Sequence, residues 1–182
     1  NKYLEGCELR EIDKSFITDI VYGSVKFRLT IDWIIEQFSS IKIKKISPWI
    51  LNILRLGIYQ ILFSDKVPES AAVNESVNLS KKYGHAASSR YVNGILRNVA
   101  RKKNEIKYPD KSTELVKYLS VKYSHPEWMI NSWIRQFGEE FTESLLTSNN
   151  EIPDFTVRVN TLKISKDDLI KALRDEGIEA SN

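Results

Sequence analysis

The chain has 182 residues, of which 42% are hydrophobic and 28% charged, and its formal net charge is +3. This composition is typical of a soluble globular protein of about one and a half domains. The single cysteine, Cys7, excludes a disulfide framework and a cysteine-based metal site. The sequence contains neither a recognisable signal peptide nor a membrane span, so we expect a cytoplasmic location.

Basic residues are concentrated in one short segment. From Lys81 to Lys107 the net charge is +7, whereas the remainder of the chain sums to −4. Such asymmetry favours a polyanion as the partner.

The first part of the chain predicts two amphipathic helices and a joint. Apolar residues at helical spacing extend from Ile12 to about Arg28, and a second run follows over Ile31 to Phe38. Thr30 is a candidate N-cap for the second helix. The joint from Ser39 to Lys45 contains three lysines, which in such a position are usually only solvated.

The segment from Ser47 to Phe63 predicts the central helix. Ser-Pro is an N-cap followed by proline at the first helical position. The apolar residues, beginning with Trp49, leave almost no face for water, which indicates a helix buried in an all-helical domain. We expect Arg55 to pair with a carboxylate or with carbonyls inside this domain, with Asp13, Asp19 and Glu75 as candidates. A phosphate contact is the alternative.

Two further helices follow with short joints. One is predicted over Glu69 to Tyr83, between Val67-Pro68 and a C′ residue, Gly84. The other is predicted over Arg90 to Lys103, with Ser88 or Ser89 as its cap. Its Asn93-Gly94 pair is interpreted as a point of close helix packing.

This ordered pattern resembles the NusB family of RNA-binding helical domains. The resemblance rests on ILRLGIYQILFSDKVPESAAVNESVNLSKKYG followed by YVNGILRNV. It implies a helical bundle over residues 1–103, here without the family's first helix. A polar, proline-containing stretch over 104–113 is the expected linker.

Beyond the linker the sequence predicts a helical connector over 114–150. After it, the spacing of the apolar residues changes from helical to alternating. The helices of the connector are expected over Glu114 to Lys122, Pro126 to Phe137 and Glu139 to Thr147, with Trp128 and Met129 buried. Phe155 to Leu162 alternates as a half-buried strand does. A helix capped by Ser165 and ending at Gly177 follows, so residues 151–182 read as the truncated start of a small α/β (ferredoxin/RRM-like) unit. The expected fold is therefore mainly α, and we expect the chain to be a fragment.

The strings YSHPEW and RVNTLK resemble the Sun/RsmB type of ribosomal RNA cytosine-5 methyltransferase. This resemblance implies that the parent enzyme uses S-adenosylmethionine and acts on small-subunit (16S) ribosomal RNA. It also implies an absent catalytic domain that carries the cysteine nucleophile, so we do not expect Cys7 to be the nucleophile. The seven glycines are scattered without a cofactor-binding turn. We expect no catalytic residue, cofactor site or metal site in this chain, since His85 and His125 lack ligand partners.

The expected function of the chain is RNA binding. Arginines seven and four positions apart line one face of a helix, where they can neutralise phosphates. The alternative is that most of these charges only complement helix dipoles. The candidate RNA-binding residues are Lys81, Lys82, Arg90, Arg97, Arg101, Lys102 and Lys103.

Other aromatic and polar residues are weaker candidates. Trp128 and Trp133 could stack on bases, but their helical spacing favours core packing. Arg158 and Asn160 could touch RNA or the catalytic domain.

The partners expected are ribosomal RNA and the protein's own C-terminal methyltransferase domain, with no membrane and no metal. Two other functions stay open at this point. One is a transcription antitermination factor of the NusB type, against which the extension from Glu114 to Asn182 argues. The other is a protein-interaction module that docks on its own catalytic domain.

Overall fold

The computed structural model describes residue 6, residues 8–153 and residues 155–180, and the regular structure of these residues is helical. No strand occurs among them, and Cys7 lies outside them. The mainly helical class is therefore confirmed. The helices are α1 (Glu11–Lys26), α2 (Arg28–Phe38), α3 (Pro48–Leu62), α4 (Glu69–Tyr83), α5 (Ala86–Arg101), α6 (Leu115–Tyr123), α7 (Glu127–Phe137), α8 (Glu139–Asn150) and α9 (Lys166–Asp175), with short 3₁₀ turns at Ile43–Lys45 and Lys103–Glu105.

Helix α3 is the central helix, as the sequence predicts. Ser47 caps it, since its hydroxyl accepts a hydrogen bond from the Ile50 N–H at 3.5 Å, and Pro48 is the first helical residue. The helix packs against α1, α2, α4 and α5. Its burial is less complete than expected, because Trp49 near its start is exposed. The side chains that it buries include Ile50, Ile53, Leu54, Ile58 and Ile61.

A single large core surrounds α3. Helix α2 contributes Ile31, Ile34 and Ile35. Helix α5 contributes Val92, Ile95, Leu96 and Val99. These side chains place α5 with one apolar side against α3 and the opposite side in solvent.

Close helix packing occurs at Gly57 and not at Gly94. A Cβ atom on Gly57 would lie 2.8 Å from side-chain atoms of both Leu96 and Ser76, so α3, α4 and α5 meet at this glycine. Nothing lies within 4 Å of the same position on Gly94, which is exposed. The interpretation of Asn93-Gly94 as a packing point is therefore wrong, because the glycine faces away from the neighbouring helices.

The ends of α4 and α5 also differ from the expectation. Gly84 ends α4 with φ −143° and ψ −152°, an extended conformation and not the left-handed one of a C′ glycine. It leaves room for neighbours, since its Cβ would lie 2.9 Å from both Ile50 Cδ1 and the Ser80 carbonyl. Helix α5 begins at Ala86, so Ser89 is a buried residue within the helix and not its cap.

Thr30 links two helices and does not cap one. Helix α2 already begins at Arg28, and the buried Thr30 hydroxyl donates a hydrogen bond to the Val121 carbonyl at 2.6 Å. The Val121 carbonyl belongs to the last turn of α6, where carbonyls lack helical partners. The N-cap prediction failed because a long-range partner uses the hydroxyl.

Arg55 pairs with a carboxylate, as expected, but the partner is Asp32 of α2. The three carboxylates expected as partners bond elsewhere. Asp13 accepts from Arg10, Glu75 accepts from the Asn78 side chain at 3.4 Å, and Asp19 accepts a hydrogen bond from the Tyr59 hydroxyl at 3.0 Å.

Helices α6, α7 and α8 form a second, smaller core around Leu119, Ile130 and Leu146. Trp128 is 70% exposed, so its predicted burial is wrong, and Ile130 is the fully buried residue of α7. The two positions are only two residues apart, and the packing of α7 on its neighbours selects the other side of the helix.

Residues 104–113 are anchored to α2. The Trp33 indole donates to the Lys107 carbonyl at 2.8 Å, and the Lys107 N–H donates to the Gln37 side chain at 3.0 Å.

The described residues form two compact units, within 1–150 and within 151–182. The domain limits drawn from the sequence stay a prediction.

In the second unit, the predicted strand over Phe155 to Leu162 is not formed. Both of these side chains are almost fully exposed, and the chain turns where the Lys163 N–H donates to the Asn160 carbonyl at 2.9 Å. A strand requires a ladder of backbone hydrogen bonds to a second strand, and no described residue takes part in such a ladder. The helix prediction is confirmed, because Ser165 caps α9 and Gly177 follows it with φ +80°.

Among the described residues, no helix combines the length and the apolar character needed to cross a bilayer.

Candidate nucleic-acid interface

Helices α4 and α5 carry five of the seven candidate residues, and Lys102 and Lys103 directly follow the end of α5. Only Gly84 and His85 separate the two helices, and Lys103 beyond the end of α5 contacts Glu69 at the start of α4, so they run antiparallel. Every candidate side chain is exposed to solvent. We call this set the basic surface: Lys81, Lys82, Arg90, Arg97, Arg101, Lys102 and Lys103.

The basic surface extends along the outer side of α5. Arg90, Arg97 and Arg101 are exposed, whereas Val92 and Val99 of the same helix are buried. Arg90 and Arg101 are eleven positions apart, which corresponds to about 16 Å along a helix axis. The structure thus separates the seven residues into two groups at the two ends of the helix pair.

The first group consists of Lys81 and Lys82 at the end of α4 and Arg90 near the start of α5. The two lysines complement the dipole of α4. Arg90 lies in the N-terminal part of α5, where a helix dipole disfavours cations. The dipole alone therefore does not account for Arg90.

The second group borders a groove between the start of α4 and the end of α5. The groove has a volume of about 630 Å³, and Arg97 and Arg101 line it on one side. The first turn of α4 lines the other side, and the N-terminus of a helix carries a partial positive charge. The α4 residues in this wall, which the sequence did not identify as part of a site, are Glu69, Ser70, Val73 and Asn74.

Some of these cations already have partners. Lys103 Nζ lies 2.9 Å from Glu69 Oε1, and Lys102 Nζ lies 3.4 Å from Glu105 Oε2. Arg101 donates to the Asn98 side chain at 2.6 Å, which leaves its charge unneutralised. In the part of the chain that the structure describes, Lys81, Arg90 and Arg97 make no ion pair, so they are available to an anionic ligand.

The other sequence candidates belong to other elements of the chain. Trp133 is half-buried and tilted against the His125 ring, whose centroid is 5.9 Å away. Arg158 and Asn160 are exposed in the second unit. Within the described residues, no group of His, Cys, Asp or Glu is arranged to hold a metal ion.

Comparison with known proteins identifies the family to which the helical bundle belongs. Residues 1–101 match the NusB family, and a NusB transcription antitermination protein of Acetivibrio thermocellus is 41% identical over 104 residues, which are 57% of this chain and 72% of that protein. The chain belongs to the NusB family. A second match, to the ferredoxin-like domain of the RsmF/B-like methyltransferases, covers residues 125–182.

Longer relatives cover nearly the whole chain. A probable ribosomal RNA small subunit methyltransferase B of Bacillus subtilis is 32% identical over 94% of this chain, and one of Synechocystis is 36% identical over 90%. The chain spans 38% and 36% of these two relatives. The crystal structure of PH0851 superposes with a TM-score of 0.60 at 23% identity, covering 96% of this chain and 39% of that one, which supports the fold.

Proposed function

We propose that this NusB-family chain is the RNA-binding N-terminal region of a small-subunit ribosomal RNA methyltransferase. The observation that carries the proposal is the order of the two matches in one chain, with the NusB family over 1–101 and the RsmF/B-like ferredoxin domain over 125–182. The relatives named as ribosomal RNA small subunit methyltransferases share this order over 90% or more of the chain. A NusB antitermination protein matches only 57% of it.

The parent enzyme, in this proposal, methylates carbon 5 of a cytosine in 16S ribosomal RNA in the cytoplasm. S-adenosylmethionine would supply the methyl group to that enzyme. The residues of this chain would bind and orient the RNA, while cofactor binding and covalent chemistry belong to other residues of the parent. The scattered glycines of the sequence support this division, since the cofactor-binding turns of doubly wound sheets are glycine-rich.

The basic surface is the proposed RNA contact. Lysine and arginine side chains that neutralise phosphates release counterions from the nucleic acid, so the affinity decreases as salt increases. Such contacts fix the position of a protein on its RNA without reading the sequence. Arg97 and Arg101 beside the start of α4 would hold phosphates in the groove, and Lys81 and Arg90 would hold others at the opposite end.

A salt titration with structured 16S ribosomal RNA fragments tests this proposal. The triple variant Arg90→Glu, Arg97→Glu and Arg101→Glu should lose RNA binding at moderate salt while its circular dichroism is unchanged, because all three side chains are exposed. The slope of log affinity against log salt for any residual binding should decrease by about 2 to 3. Unchanged affinity and slope would refute the proposed RNA contact.

A charge-matched variant provides the control. Arg135, Lys163 and Lys171 are exposed basic residues outside the basic surface. Their replacement by glutamate changes the net charge by the same amount and should leave most of the RNA affinity in place. An equal loss in both triple variants would indicate an effect of net charge only.

Docking on the protein's own methyltransferase domain is the second candidate function. Helix α1 supports it, because Val21, Tyr22 and Val25 are large apolar side chains that are 48–68% exposed on neighbouring turns. An exposed apolar patch favours a protein partner. Tyr22→Glu should then weaken association with a separately supplied methyltransferase domain without affecting RNA binding.

A further inference from the structure

Two exposed aromatic side chains stack on each other at one end of the helical bundle. The ring centroids of Trp49 and Tyr83 are 4.9 Å apart, and the ring planes differ by 12°. Trp49 is nevertheless 61% exposed and Tyr83 is 43% exposed. Because Tyr83 covers one face of the indole, we infer that the exposed part of Trp49 includes the opposite face.

The stack contributes little to the bundle itself. The Ser47 cap and Pro48 set the start of α3, and Ile50 two positions after Pro48 is buried in the main core. Neither Trp49 nor Tyr83 is among the buried and half-buried side chains of this core. Within the described residues, the Trp49 indole N–H makes no hydrogen bond. A large apolar side chain held rigidly in water without a packing role is a candidate for ligand contact.

The surroundings of the stack are positively charged. The Lys82 ammonium lies 5.5 Å from the centroid of the Tyr83 ring, and Lys44 and Lys45 are exposed in the 3₁₀ turn just before α3. No Asp or Glu occurs in the sequence over residues 37–64 or over residues 76–104. The elements that build this end of the bundle therefore carry cations without nearby acidic residues in the sequence.

A small pocket is lined by residues that are close in the chain to Trp49 and Tyr83. It has a volume of about 240 Å³, and its lining includes Lys45, Ser47, Ile50, Ser88 and Tyr91. Ser47 and Ile50 lie on either side of Trp49 in the chain, and Gly84, which follows Tyr83, approaches both Ile50 and Ser88. Trp49 and Tyr83 do not line this pocket, whose volume is several times that of a water molecule.

We propose that Trp49, supported by Tyr83, is a stacking platform for an unpaired base of RNA. Lys45, Lys81 and Lys82 neutralise the phosphates on either side of that base. Stacking on aromatic side chains between cations is how proteins bind single-stranded RNA without reading its sequence. The absence of acidic residues in both stretches favours RNA over a protein partner.

This inference rests on the proposed RNA-binding function and adds a specific element to it. The basic surface contacts phosphates, which duplex and single-stranded RNA both present. The platform requires an unpaired base. The chain should therefore bind RNA with accessible single-stranded nucleotides more tightly than RNA of equal charge without free bases.

The test measures the binding of the 182-residue chain to a labelled oligouridine and to an abasic oligomer of the same length, by fluorescence anisotropy at low salt. The parent should prefer the oligouridine by about 10-fold. Trp49→Ala should remove this preference and leave the affinity for the abasic oligomer unchanged. Trp49→Phe should restore most of it, since phenylalanine retains an aromatic face.

Trp128→Ala is the control, because Trp128 is similarly exposed but lies on α7. It should bind both oligomers as the parent does. Equal affinity of the parent for the two oligomers, an unchanged preference in Trp49→Ala, or a loss of both affinities in that variant would each overturn the platform. If the parent binds structured ribosomal RNA with the expected salt dependence in any of these cases, the proposed function stands and only the platform fails. If it binds no RNA at low salt, both fail.

Discussion

Arg55 and Asp32 form a two-point salt bridge between the central helix α3 and helix α2. Arg55 Nε lies 2.7 Å from Asp32 Oδ1, and Arg55 Nη2 lies 2.7 Å from Asp32 Oδ2. The two side chains are 21% and 24% exposed, so water screens this pair only in part. Paired N–H donors on a carboxylate are among the stronger hydrogen bonds in proteins. The pair therefore fixes the orientation of α3 relative to α2, two of the helices that build the main core.

Asp32→Ala should destabilise the chain by about 2 kcal/mol, because it leaves a half-buried guanidinium without its acceptor. Denaturant unfolding followed by circular dichroism measures the change. Asp13→Ala is the control, since Asp13 pairs with Arg10 in solvent at 40% and 80% side-chain exposure, and it should not alter the unfolding midpoint. Equal midpoints for the parent and Asp32→Ala would show that the pair contributes nothing.

Gly23→Ala should be the most disruptive small substitution in α1. A Cβ atom at Gly23 would overlap the ring of Tyr59, which is buried in α3 and donates its hydroxyl to Asp19. Burial, together with that bond, raises the pKa of Tyr59 to about 12. The ring has little room to move, so we expect a loss of about 3 kcal/mol in the free energy of unfolding.

Gly94→Ala is the matched substitution at a glycine that touches nothing. Its position is exposed in the middle of α5, where alanine is a better helix former than glycine. We expect a gain of about 0.5–1 kcal/mol in the free energy of unfolding. If Gly23→Ala also increased the free energy of unfolding, the assignment of Gly23 to a helix contact would be contradicted.

Glu143 predicts a pH-dependent contribution to stability from the smaller core. Its carboxylate accepts from Lys111 at 2.6 Å and from the Tyr123 hydroxyl at 3.0 Å. The hydrogen bond from Lys111 is the largest of the causes that lower the pKa of Glu143 below its ordinary 4.5. A lowered carboxyl pKa stabilises the folded state above the ordinary value, and this stability is lost as the pH falls through the folded value.

Glu143→Gln should consequently lower the Tm by about 2–4 °C at neutral pH. The difference from the parent should be constant above about pH 5.5 and should shrink as the pH falls below 4.5. Thermal unfolding across this range measures it. Glu114→Gln, at the exposed pair with Lys117, should show a much smaller difference at every pH. A Glu143→Gln difference that persists in acid would point to a cause other than charge.

Glu69→Gln should increase RNA affinity, in contrast to the arginine variants. Glu69 lines the groove that Arg97 and Arg101 border, and its carboxylate also holds Lys103 at 2.9 Å. Its neutralisation removes repulsion of a phosphate and frees one cation. We expect an increase of about 5-fold at low salt, which disappears at high salt.

Glu127→Gln is the control for this prediction, because Glu127 is also an acid in the first turn of a helix. It lies in α7 and should leave RNA binding unchanged. A decrease in RNA affinity with Glu69→Gln would mean that the Glu69–Lys103 pair organises the site.

The helices could be predicted from the sequence because their signals are local. Ser47-Pro48 begins α3 and Gly177 follows α9, as predicted. The predictions that failed concerned single residues whose role depends on a distant partner. Thr30 has the chemistry of a cap, but Val121 accepts its hydroxyl hydrogen bond.

The same distinction applies to the candidate site. The concentration of basic residues between Lys81 and Lys107 is visible in the sequence and suggests the class of partner. The groove is not visible there, because it joins the start of α4 to the end of α5. The short joint at Gly84 and His85 is the signal that could have suggested it, since a two-residue connection makes the helices antiparallel.

The sequence by itself determined where the helices form, how the charge is distributed and to which family the chain belongs, because these depend on neighbouring residues and on composition. Only the tertiary structure decided that Arg55 pairs with Asp32, that Trp49 stacks on Tyr83 in solvent, and that Glu69 lines the same groove as Arg97. Each of these relationships joins residues at least 23 positions apart in the chain. The packing angles and registers of the helices fix such contacts, and local propensity does not encode them.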